Sequence, residues 1–214
     1  MIKLGFLDDD YSDIQQNMHR SFKKNNIELI TLEDINNITN IEIVINFILS
    51  KQLLCLLVDY DLMNFPSKNL GTKIIKELNE ILPSFPCILF TNYVENGISE
   101  KLVPSIYIRD KNIILKESDS QEFIEFVKFI ENGAECFIKR LTLSLEEYNI
   151  LYSKYSKNEI TADEEFRFYS LYRVLRAYNY VDDIPDILLY KDTKRNIQDM
   201  LFILSKIEKN LIKK

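Results

Sequence analysis

The chain has 214 residues, a mass of 25.4 kDa and 46% hydrophobic residues, enough for one large domain or two small ones. Its 27 basic and 33 acidic side chains give a net charge of −6, which argues against a protein that coats nucleic acid along its whole surface. The single histidine, His19, excludes a two-histidine metal centre, and with four glycines neither GxGxxG nor GxxxxGK[ST] occurs. Carboxylates must therefore carry most of the polar chemistry.

Cysteine usage and apolar runs bear on the compartment. The three cysteines have no CxxC spacing and are typical of small core residues in a reducing cytoplasm. The longest uninterrupted apolar run, 53–58, is far shorter than the roughly 20 residues that a membrane span needs. The first apolar run leads straight into three aspartates, unlike the core of a signal peptide. These features predict a cytoplasmic protein without a membrane span, and 30 isoleucines against three alanines suggest a bacterial source.

Short apolar runs alternate with helical patterns through residues 1–133. Strands are predicted over 2–7, 27–32, 53–58 and 87–90, with 106–108 and 112–115 as further candidates. Helices are predicted over 12–24, 41–51, 72–82, 97–103 and 119–131. This alternation predicts an α/β domain of the flavodoxin-like type, in which a doubly wound, parallel five-stranded sheet carries helices on both faces.

Residues 134–214 are predicted to form a separate, all-helical domain. Ser144 with Glu147, and Thr161 with Glu164, fit the capping box that begins a helix, and a third long helix is predicted over 193–212. This region carries 14 basic and 13 acidic residues, whereas residues 1–133 carry 13 and 20. A net charge of +1 is low for a DNA-binding domain, so we expect protein binding or self-association through these helices.

Polar side chains follow the predicted strands at their carboxyl ends, which share one edge of a parallel sheet. Asp8 and Asp9 follow the first strand, Asp59 follows the third, and Thr91 follows the fourth. Carboxylates from neighbouring strands can bind a hard divalent cation such as Mg²⁺. Asp59, in LLVDYDL, would then be a carboxylate nucleophile toward a phosphoryl group, with the cation neutralising the charge that builds up. The hydroxyl of Thr91, in ILFTN, could donate to a phosphoryl oxygen.

A lysine from the last strand could pair with another phosphoryl oxygen. Lys116 closes the string NIILK shortly before the last amphipathic helix of the sheet domain, which is where a strand-end lysine is expected. Lys111, in IYIRDK, is the competing candidate.

The order of these residues resembles that of the receiver domains of two-component response regulators. The matching residues of the strand-end pattern are Asp8 and Asp9 in GFLDD, Asp59, Thr91 and Lys116. The resemblance covers residues 1–133. It implies that a histidine kinase donates a phosphoryl group to Asp59, while Mg²⁺ is bound by the two aspartates of the pair, by Asp59 and by the main-chain carbonyl of Asp61.

The chain departs from the family pattern at three places. The proline and glycine that closely follow the acceptor in the family arrive late here, as Pro66 and Gly71. No proline follows either candidate lysine. The aromatic residue that lies three positions before the lysine is replaced by Ile113 or Ile108, depending on which lysine is meant. The phosphorylation site therefore looks complete, whereas the usual output switch is altered.

Two alternatives follow from the same residues. A haloacid-dehalogenase-like phosphatase would use Asp59 and Asp61 as its DxD motif and Asp182, Asp183 and Asp186 as its second acidic set. That second set should follow a sheet strand, whereas here it follows a helical pattern, and the acidic pair after the first strand stays unexplained. The other alternative is a receiver-like interaction module that binds partners without phosphorylation.

Overall fold

A computed structural model describes residues 1–9, 13–32, 40–62, 70–116, 118–182 and 200. Its strands are β1 (Ile2–Leu7), β2 (Ile27–Thr31), β3 (Cys55–Val58), β4 (Cys87–Thr91) and β5 (Ile108–Asp110). Its helices are α1 (Asp13–Lys24), α2 (Ile41–Lys51), α3 (Gly71–Ile81), α4 (Val94–Glu100), α5 (Gln121–Ser156) and α6 (Ala162–Ala177). Short 3₁₀ helices, Ser105–Tyr107 and Lys111–Leu115, flank β5.

The five strands form one sheet in the order β2-β1-β3-β4-β5, and every neighbouring pair is parallel. The predicted flavodoxin-like, doubly wound α/β fold is therefore confirmed. The register pairs Leu7 with Val58 and Thr91 with Asp110, so the strands end together at one edge. The chain crosses from one side of β1 to the other after β2, and ligands of such sheets bind at the carboxyl edge beside that crossover.

Apolar packing on both faces holds the sheet in place. Every residue of β3 and β4 is buried, which explains why their sequences are continuous apolar runs rather than alternating ones. On one face, Phe90 of β4 stacks on Phe126 of α5 at a centroid distance of 5.2 Å, and Phe22 of α1 contacts Phe126 at 6.2 Å. Each such side chain contributes about 1.5–3 kcal/mol when fully buried.

The last strand differs from both predicted positions. The prediction of a strand over 112–115 is wrong, and β5 overlaps the 106–108 candidate only at Ile108. The cause is local: the side chain of Asp110 accepts a hydrogen bond from the Asn112 amide at 2.8 Å, which turns the chain into a 3₁₀ helix. The strand therefore ends directly before Lys111, and Lys116 follows the 3₁₀ helix instead of closing a strand.

Helix α4 begins and ends three residues earlier than predicted. It stops at Glu100 because Lys101 adopts a left-handed conformation with φ of 57°, and the Lys101 amide donates a hydrogen bond to the Ile98 carbonyl. This shift makes Glu100 the last helical residue. Its side chain accepts a hydrogen bond from Tyr60, which lies in the loop after β3.

Helix α5 is much longer than predicted, with 36 residues. The predicted helix end at 131 and the predicted start at Ser144 are both wrong. No proline interrupts residues 105–184, and the buried residues Ala134, Phe137 and Leu141 continue the helical spacing. The chain divides into two compact units, Met1–Glu147 and Tyr148–Lys214, and the division lies inside α5.

The second unit has an aromatic core. Phe168 of α6 stacks on Tyr148 and Tyr155 at centroid distances of 5.1 and 5.0 Å. Thr161 and Glu164 form the predicted capping box at the start of α6. The predicted helix over 193–212 lies outside the described residues, apart from Met200. In the described part of the chain, no helix combines the length and apolar character that crossing a membrane requires.

Candidate acidic site at the carboxyl edge of the sheet

Three carboxylates meet at the carboxyl ends of β1 and β3. Asp8, Asp9 and Asp59 each offer an oxygen atom, and these atoms lie within 4.8 Å of one another. The Asp59 amide donates to the Leu7 carbonyl at 2.9 Å, which continues the β1–β3 ladder and brings the two strand ends side by side. Asp8 and Asp59 are only 7% and 8% exposed, so their charges need partners inside the protein.

Lys111 supplies the compensating charge. Its Nζ atom donates to Asp8 Oδ2 at 2.8 Å and lies 2.9 Å from Asp59 Oδ2. Burial by itself would lower the pKa of Lys111, but the charges of Asp59 and Asp8 and their hydrogen bonds outweigh it and raise that pKa above its usual value. The ammonium group therefore stays charged between the two carboxylates.

The other candidate lysine lies elsewhere. Lys116 pairs with Glu122 of α5 at 2.7 Å, and their side chains are 46% and 56% exposed. The hydrogen bond from Lys116 lowers the pKa of Glu122. Because β5 ends at Asp110, the structure brings Lys111 to the acidic cluster and leaves Lys116 in an exposed ion pair of a kind that contributes little to stability.

The second oxygen of Asp59 is held by the following peptide. The Tyr60 amide donates to Asp59 Oδ1 at 2.7 Å, so each carboxylate oxygen of Asp59 has a different partner. The Gly71 amide, at the start of α3, donates to the Tyr60 carbonyl at 2.8 Å. A Cβ atom on Gly71 would lie 1.9 Å from the Asp59 carbonyl oxygen. A side chain is therefore excluded where α3 meets this peptide, a role of Gly71 that its position in a predicted loop did not reveal.

The remaining predicted site residues lie at the same edge. Thr91 ends β4 beside β3, is fully buried, and accepts a hydrogen bond from the Tyr93 amide at 3.1 Å. Asp61 lies two residues after Asp59 and forms an isolated antiparallel bridge with Leu70. Residues 63–69, which include Pro66, lie outside the described residues.

The sequence did not predict one further carboxylate close to Asp59. Glu100 accepts a hydrogen bond at Oε1 from the Tyr60 hydroxyl at 2.7 Å and another at Oε2 from the Thr72 hydroxyl. Loss of hydration, with the hydrogen bond and charge of Glu100, raises the pKa of Tyr60 to about 12. No spacing in the sequence signals this group, because its three members belong to the loop after β3, to α3 and to α4.

The amino ends of the strands form a different kind of concavity. A cavity of about 380 Å³ is lined there mainly by apolar and aromatic side chains and by all three cysteines, Cys55, Cys87 and Cys136, with polar groups that include Asn132 and Arg140. Burial raises the pKa of Cys55 to about 12 and also raises that of Cys87, so both thiols stay protonated. Among the described residues that line this cavity there is no carboxylate.

Comparison of the sequence with protein-family models and with curated proteins finds no match. Buried carboxylates with converging oxygens could bind a hard cation, and one carboxylate held between an amide and an ammonium group could act as a nucleophile. Asp182, from the second acidic set of the phosphatase alternative, follows α6 and not a strand, while Asp183 and Asp186 lie outside the described residues.

Proposed function

We propose that the chain is a response regulator whose sheet domain accepts a phosphoryl group on Asp59 and whose helical region, within residues 134–214, passes the signal on. One observation carries the proposal. The Asp59 carboxylate lies buried at the carboxyl edge of a parallel sheet of order 2-1-3-4-5, within a cluster formed with Asp8 and Asp9 and paired with Lys111.

The transfer step requires no more than a positioned carboxylate and compensated charge. An Asp59 oxygen attacks the phosphorus of a phosphohistidine on a histidine kinase, a P–O bond forms, the P–N bond breaks, and the bond electrons leave with the imidazole, which takes up a proton. Asp8, Asp9, Asp59 and the main-chain carbonyl of Asp61 would hold Mg²⁺. When bound, that cation supplies positive charge against which two anions can approach each other.

Lys111 is suited to pair with the negative charge both before and after this step. In the unmodified protein it pairs with the Asp59 carboxylate at 2.9 Å. Once Asp59 carries a phosphoryl group, the negative charge resides on the phosphoryl oxygens, and a flexible ammonium group can pair with one of them. The Thr91 hydroxyl, at the end of the neighbouring strand, is the proposed second donor to these oxygens.

The helical region is proposed to bind a protein partner or a second copy of the chain. Its second unit exposes large apolar side chains on α5 and α6: Ile150, Tyr152 and Phe166 are 62%, 53% and 78% exposed. The net charge of +1 over residues 134–214 does not favour DNA as the partner. We propose that this signalling takes place in the cytoplasm.

One observation favours the interaction module that acts without phosphorylation. Lys111 already pairs with Asp8 and Asp59, so both buried carboxylates have a positively charged partner within the protein itself. In the described residues, the phosphatase alternative gains no comparable support, because the one described member of its second acidic set, Asp182, follows a helix.

Intact-mass measurement separates these functions. The protein is incubated with Mg²⁺ and acetyl phosphate, alongside Asp59→Asn and, as a matched control, Asp163→Asn at an exposed position in the first turn of α6. The proposal predicts one added phosphoryl group in the wild type and in the control, and none in Asp59→Asn. No uptake, or uptake that survives Asp59→Asn, contradicts it. Sustained hydrolysis of an aryl phosphate would indicate the phosphatase instead.

A further inference from the structure

The loop that carries the acceptor is tied to two helices through a single carboxylate. Glu100, the last residue of α4, accepts hydrogen bonds from the hydroxyls of Tyr60 and Thr72. Thr72 is fully buried in the first turn of α3. The two carboxylate oxygens of Glu100 therefore join the residue after Asp59 to the start of one helix and the end of another.

The same Tyr60 is bound to the acceptor through its backbone. Its amide donates to Asp59 Oδ1 at 2.7 Å, and its carbonyl accepts from Gly71 at 2.8 Å. We expect a change at Asp59 Oδ1 that displaces this amide to rotate the planar Asp59–Tyr60 peptide, which is bonded directly to the Cα atom of Tyr60. The Tyr60 hydroxyl would then move relative to Glu100. The hydrogen bond between these two groups would weaken, because hydrogen-bond geometry tolerates little displacement.

Other side chains near the site offer fewer polar contacts to α4. Ile108, three positions before Lys111, is an aliphatic residue that is only 5% exposed. Its side chain has no hydroxyl group and cannot form a hydrogen bond with groups at the carboxyl edge of the sheet. Tyr93 contacts the Tyr60 ring at a centroid distance of 6.1 Å, but it is 53% exposed. Tyr60 is thus the residue that combines a bond to Asp59 with a bond to the end of α4.

We propose that Glu100 is a positioning residue that couples the state of Asp59 to the last turn of α4 through the Tyr60 hydroxyl. The inference rests on the proposed phosphorylation of Asp59. In the unmodified protein, Glu100 holds Tyr60 in the orientation that presents its amide to Asp59 Oδ1. Phosphorylation changes that oxygen, loosens the Tyr60–Glu100 hydrogen bond and alters the protection of the α4 backbone.

Amide hydrogen exchange across 94–101 tests this coupling in the full chain. Wild type, Glu100→Gln and Tyr60→Phe are compared before and after treatment with Mg²⁺ and acetyl phosphate, at equal phosphorylated fractions read from intact mass. Tyr93→Phe is the matched control, since it also removes one tyrosine hydroxyl beside Tyr60. We expect phosphorylation to change the rate of amide exchange in this segment about fivefold or more in the wild type and the control. In the two network variants, Glu100→Gln and Tyr60→Phe, we expect a change of less than about twofold.

Each outcome decides the inference. If both network variants respond like the wild type, or if the phosphorylated wild type shows no change in α4, the coupling is refuted while the phosphorylation of Asp59 stands. If Tyr60→Phe loses the response and Glu100→Gln keeps it, the assignment to Glu100 is wrong. If the wild type gains no phosphoryl mass, the proposed function and the inference fail together, and the mass measurement alone shows this.

Discussion

Both ends of the same sheet bury side chains, but the buried groups differ in their chemistry. At the carboxyl end, Asp8 and Asp59 lie buried as charged groups around the ammonium group of Lys111. At the amino end, β3 and β4 begin with Cys55 and Cys87, whose pKa values are raised by burial so that they remain uncharged. Between the two ends, β3 is apolar from Cys55 to Val58 and β4 is apolar from Cys87 to Phe90.

This difference bears on which end of the sheet has a role beyond folding. A buried ion pair is weak evidence for stability, since well-packed apolar groups of the same volume often stabilise a protein at least as well. The amino end shows that this fold can close around thiols and aromatic rings. The proposed function accounts for the charges at the carboxyl end, and their removal should affect function and stability in ways that changes at the amino end do not.

The largest expected effect concerns phosphoryl uptake by the two lysine variants. Lys111→Met removes the ammonium group from the acceptor, and we expect the rate of uptake from acetyl phosphate to fall about a hundredfold, as when one charge-stabilising donor is lost. Lys116→Met, the control, removes only the exposed pair with Glu122 and should stay within about twofold of the wild type. Equal losses in both variants would remove the basis for assigning Lys111 to the site.

Stability should respond strongly to the same substitution. Lys111→Met removes the ammonium group that pairs with two buried carboxylates, so we expect the free energy of unfolding in the presence of a chelator to fall by about 3 kcal/mol. Saturating Mg²⁺ at 100 times its dissociation constant should restore about 2.7 kcal/mol. Urea denaturation with and without Mg²⁺ measures both effects, and an unchanged midpoint without Mg²⁺ would contradict the role of Lys111 in compensating the cluster.

The pH dependence of this stabilisation has a definite sign. Because the pKa of Lys111 is raised in the folded protein, its contribution is fully present below the unfolded pKa, about 10.4, and is lost as pH rises through the folded value. The difference in unfolding free energy between wild type and Lys111→Met should therefore be constant from about pH 7 to 9 and narrow above about pH 10.4. A difference that instead grows above that pH would mean that Lys111 is not held by the carboxylates.

The smallest effect is expected at the amino end. Cys55→Ala removes one buried thiol from the apolar core, and we expect the free energy of unfolding to fall by about 1 kcal/mol, as for other losses of a single heavy atom. Phosphoryl uptake should be unchanged, because Cys55 begins the strand that Asp59 follows at the other end. Lost uptake in a variant that still folds would break the contrast between the two ends.

Much of this architecture could be predicted because it depends on local patterns. Apolar runs separated by helical spacings fix a parallel sheet, and strand-end positions place Asp8, Asp9 and Asp59 at one edge. The lysine could not be chosen in the same way. Its position depends on the single hydrogen bond from the Asn112 amide to the Asp110 side chain, which ends β5 and which no periodicity signals.

Contacts between distant segments were also beyond sequence analysis. The close approach of Gly71 to the Asp59 carbonyl and the bonds of Glu100 join elements that are far apart in the chain. The continuity of α5 was missed for a different reason. Ser144 and Glu147 fit a capping box, but in the folded chain the helix runs through them, because packing on either side outweighs a local start signal.

The central claim, that Asp59 accepts the phosphoryl group, is tested most directly by locating the modified residue. After incubation with Mg²⁺ and acetyl phosphate, borohydride reduction converts an aspartyl phosphate into homoserine, which peptide mass spectrometry can assign to one position. The account predicts homoserine at position 59 in the wild type and unmodified aspartate at positions 8 and 9. Homoserine at position 8 or 9, or none in the protein, would contradict it.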